Sequence, residues 1–303
     1  MTTLTLKQIL NIEAADGPFT KQDSVLQQTL RDFIQLQSLT LSIGTKIIGT
    51  RTVPWITYTW YTGALGTFTY PIDENAVVDP TNIGTENYST VLNKGQGRTV
   101  FLDSVRLRGE TFETLDRQQL AIIRRRAEVI DNKILTDLVA GAGQTKAATA
   151  VFSSGSADPE QDILDAMDLI FANGRVSGDE AQALVLPATT RSILLNTSLY
   201  GNVIESLQEH LNRIADLTIY YTRDYGSGSA MTTSALLLVP GSETGEFFTY
   251  NGEGFMETEL TRLEGVGYSY LLTSYFGTVI HEMQDGASAG TNNRICTITG
   301  VIS

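Results

Sequence analysis

The sequence predicts an α+β protein of two lobes with a long projecting ribbon, and three observations predict it. Residues 110–143 read as one long amphipathic helix. Residues 51–108 are first aromatic and β-branched, then rich in turn residues. From residue 158 onward, helical and strand patterns alternate, and a sheet covered by helices is the economical way to pack them. At 303 residues the chain sits near the size at which a single core divides in two.

Residues 1–22 carry little pattern, with Gly17-Pro18 as a breaker, and read as an arm. Asp23 then caps a modest amphipathic helix to about Gln37, with Val25, Leu26, Leu30, Phe33 and Ile34 on its apolar side. The stretch VPWITYTWYTGALGTFTY follows, alternating Trp55, Thr57 and Thr59 with Ile56, Tyr58 and Trp60. Gly63 and Gly66 are placed for a turn, so a hairpin or ribbon is expected. PIDENAVVDPTNIGTENYSTVLNKGQG reads as loop, of a length rare in compact domains. RTVFLDSVRLR (98–108) returns as an extended segment. Both tryptophans lie in this excursion, and aromatic side chains on a projecting ribbon suit a binding surface.

In the long helix, Leu120, Ile123, Ala127, Ile130, Ile134 and Leu138 recur at steps of three and four and so share one side. Arg117, Arg124, Arg125, Glu128, Asp131 and Asn132 are expected on the arc away from the core. Thr111 or Thr114 caps the start and Gly141 with Gly143 ends it, which makes roughly 25 helical residues, about 40 Å. Ile122 and Val129, seven apart, form a second apolar line, flanking the cationic run Arg124–Arg126. A helix with two apolar sides touches two things: another part of its own domain, or a neighbouring subunit.

GAGQTKAATAVFSSGSADP reads as a small-residue linker and lobe boundary. Asp158 caps a helix with Pro159 at its first position and Ile163, Leu164, Met167, Ile170 and Phe171 on one face. QALVLP (182–187) is a buried strand, ATTRSILLN and YGNVIESLQEHLN are helices, and DLTIYYT (216–222), SALLLVPG (234–241) and EFFTYNG (246–252) are strands. GVGYSYLLTSYFGTVIHEM is a long strand and RICTITGVI a last one, both too apolar for bare edges.

Composition excludes several functions. The formal charge of −13 argues against a grip on nucleic acid by the chain as a whole, although an acidic shell can surround it without adhering. Cys296 is the only cysteine, so no intrachain disulfide is possible. No apolar run reaches the roughly 18 residues of a membrane span, and MTTLTLKQIL lacks the features of a signal peptide, so a cytosolic origin is expected. Gly141-Ala142-Gly143-Gln144-Thr145-Lys146 lacks the glycine before lysine that a phosphate loop needs. His281-Glu282 is followed by Asp285 where a zinc-protease motif needs histidine. With only His210 and His281 present, histidine triads and metal clusters have little material, and there is no GxSxG. Tyr220, Tyr221, Tyr225 and the GSGS at 226–229 read as a connection rather than a ligand rim. No catalytic, cofactor-binding or metal site is expected.

The order of elements resembles the major capsid proteins of the Hong Kong 97 phage capsid fold, shared by tailed bacteriophages, related archaeal viruses, herpesvirus capsid floors and encapsulin shells. The resemblance spans nearly the whole chain. RTVFLDSVRLRGETFETLDRQQLAIIRRRAEVIDNKILTDLVAG is similar to that family's extended-loop return and spine helix. ALVLPATTRSIL is similar to its axial strand and helix, and GYSYLLTSYFGTVIHEMQDGASA to the strand that re-enters the peripheral domain. The resemblance implies an N-terminal arm and helix in 1–50, an extended β-loop in 51–108, a peripheral domain from 109–157 and 266–303, and an axial domain in 158–265. The implied function is self-assembly through hexamers and pentamers into an icosahedral shell around double-stranded DNA, made in a host cytoplasm and resident in the virion. Implied partners are other copies of the chain, with separate scaffolding, portal and decoration proteins and no membrane. Trp55, Trp60, Phe68, Tyr70, Ile122 and Val129 are the expected inter-subunit contacts. Some members carry a cleaved N-terminal scaffolding segment, whereas pattern here starts within about 25 residues of Met1, so a separate scaffold or none is expected. Lys94 is the one lysine in 51–108, but nothing around it matches the family's cross-linking chemistry. An encapsulin-type compartment with protein cargo is the alternative, and a two-lobed enzyme or ligand-binding protein the remote one.

Overall fold

The computed structural model describes residues 41–63, 85–102, 111–174, 176, 180, 182–195, 206–223, 231, 233–250, 256–263, 267–281 and 291–303. The expected helix at 23–37, the loop 64–84 and the GSGS segment lie outside these residues. The axis of the fold is helix α2 (Thr111–Ala140), 30 residues long and so longer than the sequence suggested. A short turn of helix, α1 (Gly44–Ile47), lies against it.

Two five-stranded sheets flank this helix. The first contains β1 (Ile48–Val53), β4 (Asn93–Leu102), β9 (Gly241–Tyr250), β10 (Met256–Leu263) and β11 (Gly267–Ile280). Its organiser is β11. Residues Gly267–Ser274 pair antiparallel with both β10 and β4, and the remainder, from Phe276, pairs with β9, which in turn pairs parallel with β1. The second sheet has the order β5 (Ala142–Ala147), β12 (Asn292–Thr299), β8 (Ala235–Leu238), β6 (Gln182–Pro187), β7 (Leu217–Thr222). A third, two-stranded ribbon joins β2 (Thr57–Gly63) to β3 (Thr85–Val91).

The second sheet is buried on both faces, which is why QALVLP is apolar without alternation. One face packs on α3 (Pro159–Asn173), α4 (Arg191–Leu195) and α5 (Leu207–Ala215) through Ile163, Ile170, Leu194 and Leu211. The Asp158 side chain accepts from the Gln161 amide at 3.2 Å, so the predicted cap and Pro159 start are as read. Ser206 and Glu209 form a reciprocal capping box on α5. The other face of the sheet meets α2. There Ile130, Ile134, Leu135 and Leu138 share one core with Val185, Leu236, Leu238 and Ile295 of the second sheet and Phe247 and Phe276 of the first. Each such side chain contributes roughly 1.5–3 kcal/mol by leaving water, so α2 holds both sheets at once.

Several expectations need correction. Leu120 is 46% exposed, whereas Ile123, the next member of its stripe, is wholly buried. Asp131 is buried rather than solvent-facing. It accepts from Ser42 Oγ at 2.6 Å and from the Gly44 amide at 2.8 Å, capping the start of α1, and these bonds are what make burial of a carboxylate tolerable. Gly44 is required at that contact, since a Cβ there would lie 2.6 Å from Ile134. Ribbon strand 57–63 pairs with 85–91, which was expected to be loop, while the turn expected at Gly63 and Gly66 falls largely outside the described residues. The linker after α2 contains β5, whose polar, half-exposed residues are ordered by pairing with β12. Strand β10 had no expectation. Both sheets draw strands from either side of the boundaries expected at 158 and 266, β9 and β10 joining β11 in the first and β12 joining β8 in the second.

Candidate assembly surfaces

The first surface is the root of the ribbon. Leu92, between β3 and β4, is buried with Val53, Phe248 and Val279, and its amide donates to the Ile56 carbonyl at 2.8 Å. Tyr58 extends this anchor, its ring 4.4 Å from that of Phe248. Arg51 lies 5.6 Å from the Tyr58 ring centroid and 3.8 Å from Glu246, which also faces His281 Nε2 at 3.6 Å. One side of the root is therefore fixed by aromatic packing and charge.

The other side is left bare. Trp55 is 74% exposed, and Ile56 and Val91 are exposed beside it, brought together because Thr57 pairs with Val91. Trp55 borders an open hollow of about 360 Å³ with Arg51, Thr52 and Tyr58. Hydroxyls, one guanidinium and aromatic faces line it, a set suited to adhesion. Trp60 lies on β2 opposite Tyr88. Phe68 and Tyr70 lie outside the described residues.

The second surface is the outer side of α2. Val129 is exposed and Ile122 half-buried, with Arg124 and Arg125 exposed around them and Arg125 paired to Glu128 at 3.0 Å. Arg126, of the same cationic run, points inward, and burial lowers its pKa to about 10. The sequence signal for this difference was weak, because all three arginines look alike without the packing. Ile123, one residue from Ile122, is wholly buried. The structure thus separates the two apolar lines of α2, one inside the chain and one facing out, and does not bring Ile122 and Val129 into contact with the ribbon root of the same chain.

Other groups with chemistry are occupied structurally. Cys296 is buried in the second sheet and burial pushes its thiol pKa up to about 11, so it is held as the unreactive thiol. His210 Nε2 is 3.2 Å from Glu160 and its Nδ1 is 3.1 Å from Arg213, linking α3 to α5. Asp162 accepts from the amide and hydroxyl of Thr149. Among the described residues there is no cluster of His, Cys, Asp and Glu placed to hold a metal ion, and no helix long and apolar enough to cross a membrane.

No family model matches the chain, and no curated protein matches it in sequence. Solved structures do match in fold. The capsid of Myoviridae Phage XM1 superposes with a TM-score of 0.62 at 16% identity, covering 86% of this chain and 92% of that one. The capsid of the native GTA particle gives 0.60 at 10% identity, over 87% and 89% of the two chains. A virus-like particle from Pyrococcus furiosus gives 0.58 at 9% identity, over 89% of this chain and 98% of that one. A long helix between two sheets, a separate two-stranded ribbon and near-complete coverage of these capsid structures give the chain the same α+β fold. It is the Hong Kong 97 phage capsid-type fold that the sequence resembles.

Proposed function

We propose that this chain is a major capsid protein, a structural subunit without enzymatic activity that assembles through hexamers and pentamers into an icosahedral shell enclosing double-stranded DNA. The observation that carries the proposal is the ribbon root: a firmly anchored projection whose outer side exposes Trp55, Ile56 and Val91. A two-stranded ribbon is at best marginally stable alone, and an apolar patch of this kind gains by docking on another copy. In this reading the ribbon of one subunit lies over a neighbour, Ile122 and Val129 form part of the receiving face, and Trp60, Phe68 and Tyr70 add to the contact. Each contact is heterologous and repeats by rotation, which closes rings. In this reading 51–108 is the extended loop, 109–157 with 266–303 the peripheral domain around α2, and 158–265 the axial domain. The −13 charge suits a wall that encloses DNA without gripping it. Assembly takes place in a host cytoplasm, with scaffolding, portal and decoration functions supplied by other proteins.

The test is light scattering and electron microscopy of the purified chain, with the absorbance ratio read for nucleic acid and candidate scaffold supplied. Rings of five or six, or closed particles, are expected. Closed particles carrying protein cargo in place of nucleic acid would replace the virion reading with that of an encapsulin-type compartment. A monomer or dimer at every salt and protein concentration would sink the shell reading.

A further inference from the structure

The chain passes between the two sheets three times: from α2 into β5 at Gly141, from β8 into β9 at 239–241, and between β11 and β12, framed by His281 and Thr291. All three passages meet at one residue, two of them at its side chain and the third at its backbone amide. Asn292 is wholly buried, and its Nδ2 donates to the carbonyls of His281 at 2.6 Å, Glu243 at 3.2 Å and Thr244 at 3.4 Å. Two amide hydrogens shared among three carbonyls satisfy the group fully, and no other uncharged side chain of this size offers both hydrogens with an acceptor beside them. That acceptor, Oδ1, receives the Arg294 amide at 2.8 Å, while the Asn292 amide donates to the Gly141 carbonyl at 2.8 Å.

The neighbourhood is built to the same end. Arg294 pairs with Glu243 at 2.9 Å and Glu180 at 3.1 Å, and its carbonyl accepts from the Val239 amide at 3.1 Å. Gly143 lies so close that a Cβ there would stand 2.5 Å from Asn293 Oδ1 and 2.8 Å from the Asn292 backbone. Apolar packing around α2 resists separation of the sheets, yet packing is non-directional and tolerates tilt. Directed hydrogen bonds do not.

We infer that Asn292 is the positioning residue that fixes the angle between the two sheets. Resting on the shell reading above, that angle sets the tilt between neighbouring subunits and so the curvature and diameter of the particle.

The angle is read first in the unassembled subunit. Spin labels on Thr50→Cys of β1 and Thr218→Cys of β7, both exposed positions, report the distance between the sheets in a Cys296→Ala background. Asn292→Ala is expected to broaden that distance distribution about twofold, as freed shear between packed bodies does. Leu211→Ala, in the core on the far face of the second sheet, is the control and is expected to lower Tm without broadening. Should Asn292→Ala not fold, Gly143→Ala perturbs the same junction through backbone contact and is expected to broaden the distribution likewise. A distribution as narrow as the parent's, or equal broadening by the Leu211 control, overturns the inference. Particle diameters are read second. Mixed diameters, tubes or open sheets from Asn292→Ala beside uniform wild-type particles support the link to curvature, and uniform particles of wild-type diameter overturn it. Failure of the wild type to assemble counts against the shell reading alone, because the label distances still decide the role of Asn292.

Discussion

Strand β6 and ribbon strand β2 lie in one chain but meet opposite fates. Every residue of β6 is buried, with neighbours β7 and β8 on its edges, helices on one face and α2 on the other. Strand β2 has the single partner β3, and the turn that leads into it exposes Trp55 and Ile56. Their sequences differ accordingly: β6 (QALVLP) is mostly aliphatic, whereas β2 (TYTWYTG) is built of threonine and aromatic residues. The difference teaches that strand-forming sequence is completed by what it packs on: β6 is finished inside the subunit, whereas the root of β2 keeps Trp55 and Ile56 exposed.

The contrast can be broken most directly at β6. Leu184→Ala is expected to cost about 2–5 kcal/mol, read as a lower midpoint in urea with unchanged slope, since the surrounding sheet cannot collapse onto the cavity. Next is Asp131→Ala, which removes the acceptor for Ser42 and the Gly44 amide and leaves the latter unsatisfied. A loss of about 1–3 kcal/mol is expected, with amide exchange rising at residues 42–48 before the rest of the chain. Trp55→Ala reverses the pattern. Subunit stability is expected to stay within about 0.5 kcal/mol, while assembly weakens by about 1–2 kcal/mol, seen as a higher threshold concentration for particles in light scattering. If Trp55→Ala instead destabilises the isolated subunit, the ribbon is finished internally and the comparison fails.

The smallest effect is expected from the Lys146–Asp165 pair, which joins β5 to α3 at the surface. The hydrogen bond from Lys146, then that from Gln161, holds the Asp165 pKa below its ordinary value, and the bond to Asp165 raises that of Lys146. The carboxylate's contribution is present above its unfolded pKa and lost as pH falls through its lowered folded one. The ammonium's is present below its unfolded pKa and lost as pH rises through its raised folded one. Asp165→Asn should therefore flatten the Tm-against-pH profile slightly at both ends, and added salt should hide the difference.

Legibility in the sequence followed locality. Helices α2 and α3 could be read because their periodicity, the Asp158 cap and Pro159 act within a few residues. The runs at 182–187, 235–238 and 267–280 were apolar enough to be strands in any packing. Strands β3 (TENYSTV) and β5 (AGQTKA) were not, because polar residues with asparagine or glycine read as turns until a distant partner supplies the ladder, and β10 (METELTRL) was not, because its charged residues and threonines give no apolar run although its partner β11 follows directly. For β5 that partner is β12, about 150 residues away by its Ala142–Asn292 register. The exposure of Trp55 was legible because aromatic side chains in a turn-rich stretch have few apolar neighbours nearby. Asn292 gave no signal, since an asparagine in TNNRIC looks like loop chemistry until three carbonyls are seen around it. Asp131 was misread for a related reason: its partners lie 87–89 residues earlier.

The ribbon leaves the first sheet from its middle, and this has a mechanical consequence. Val53 ends β1 opposite Tyr250, and Asn93 starts β4 opposite Phe276, which is itself opposite Thr249, so both roots emerge at nearly the same level. The two strands share one chain sense but extend to opposite sides of that level, β1 ending at it and β4 starting from it. A neighbour dragging the ribbon one way along the strands puts β1 under tension against β9, and dragging it the other way puts β4 under tension against β11. In either case the rungs are loaded sideways together, six residue pairs in the first case and ten in the second, rather than peeled one after another. A tether anchored in this way resists pulling along the strands from both directions.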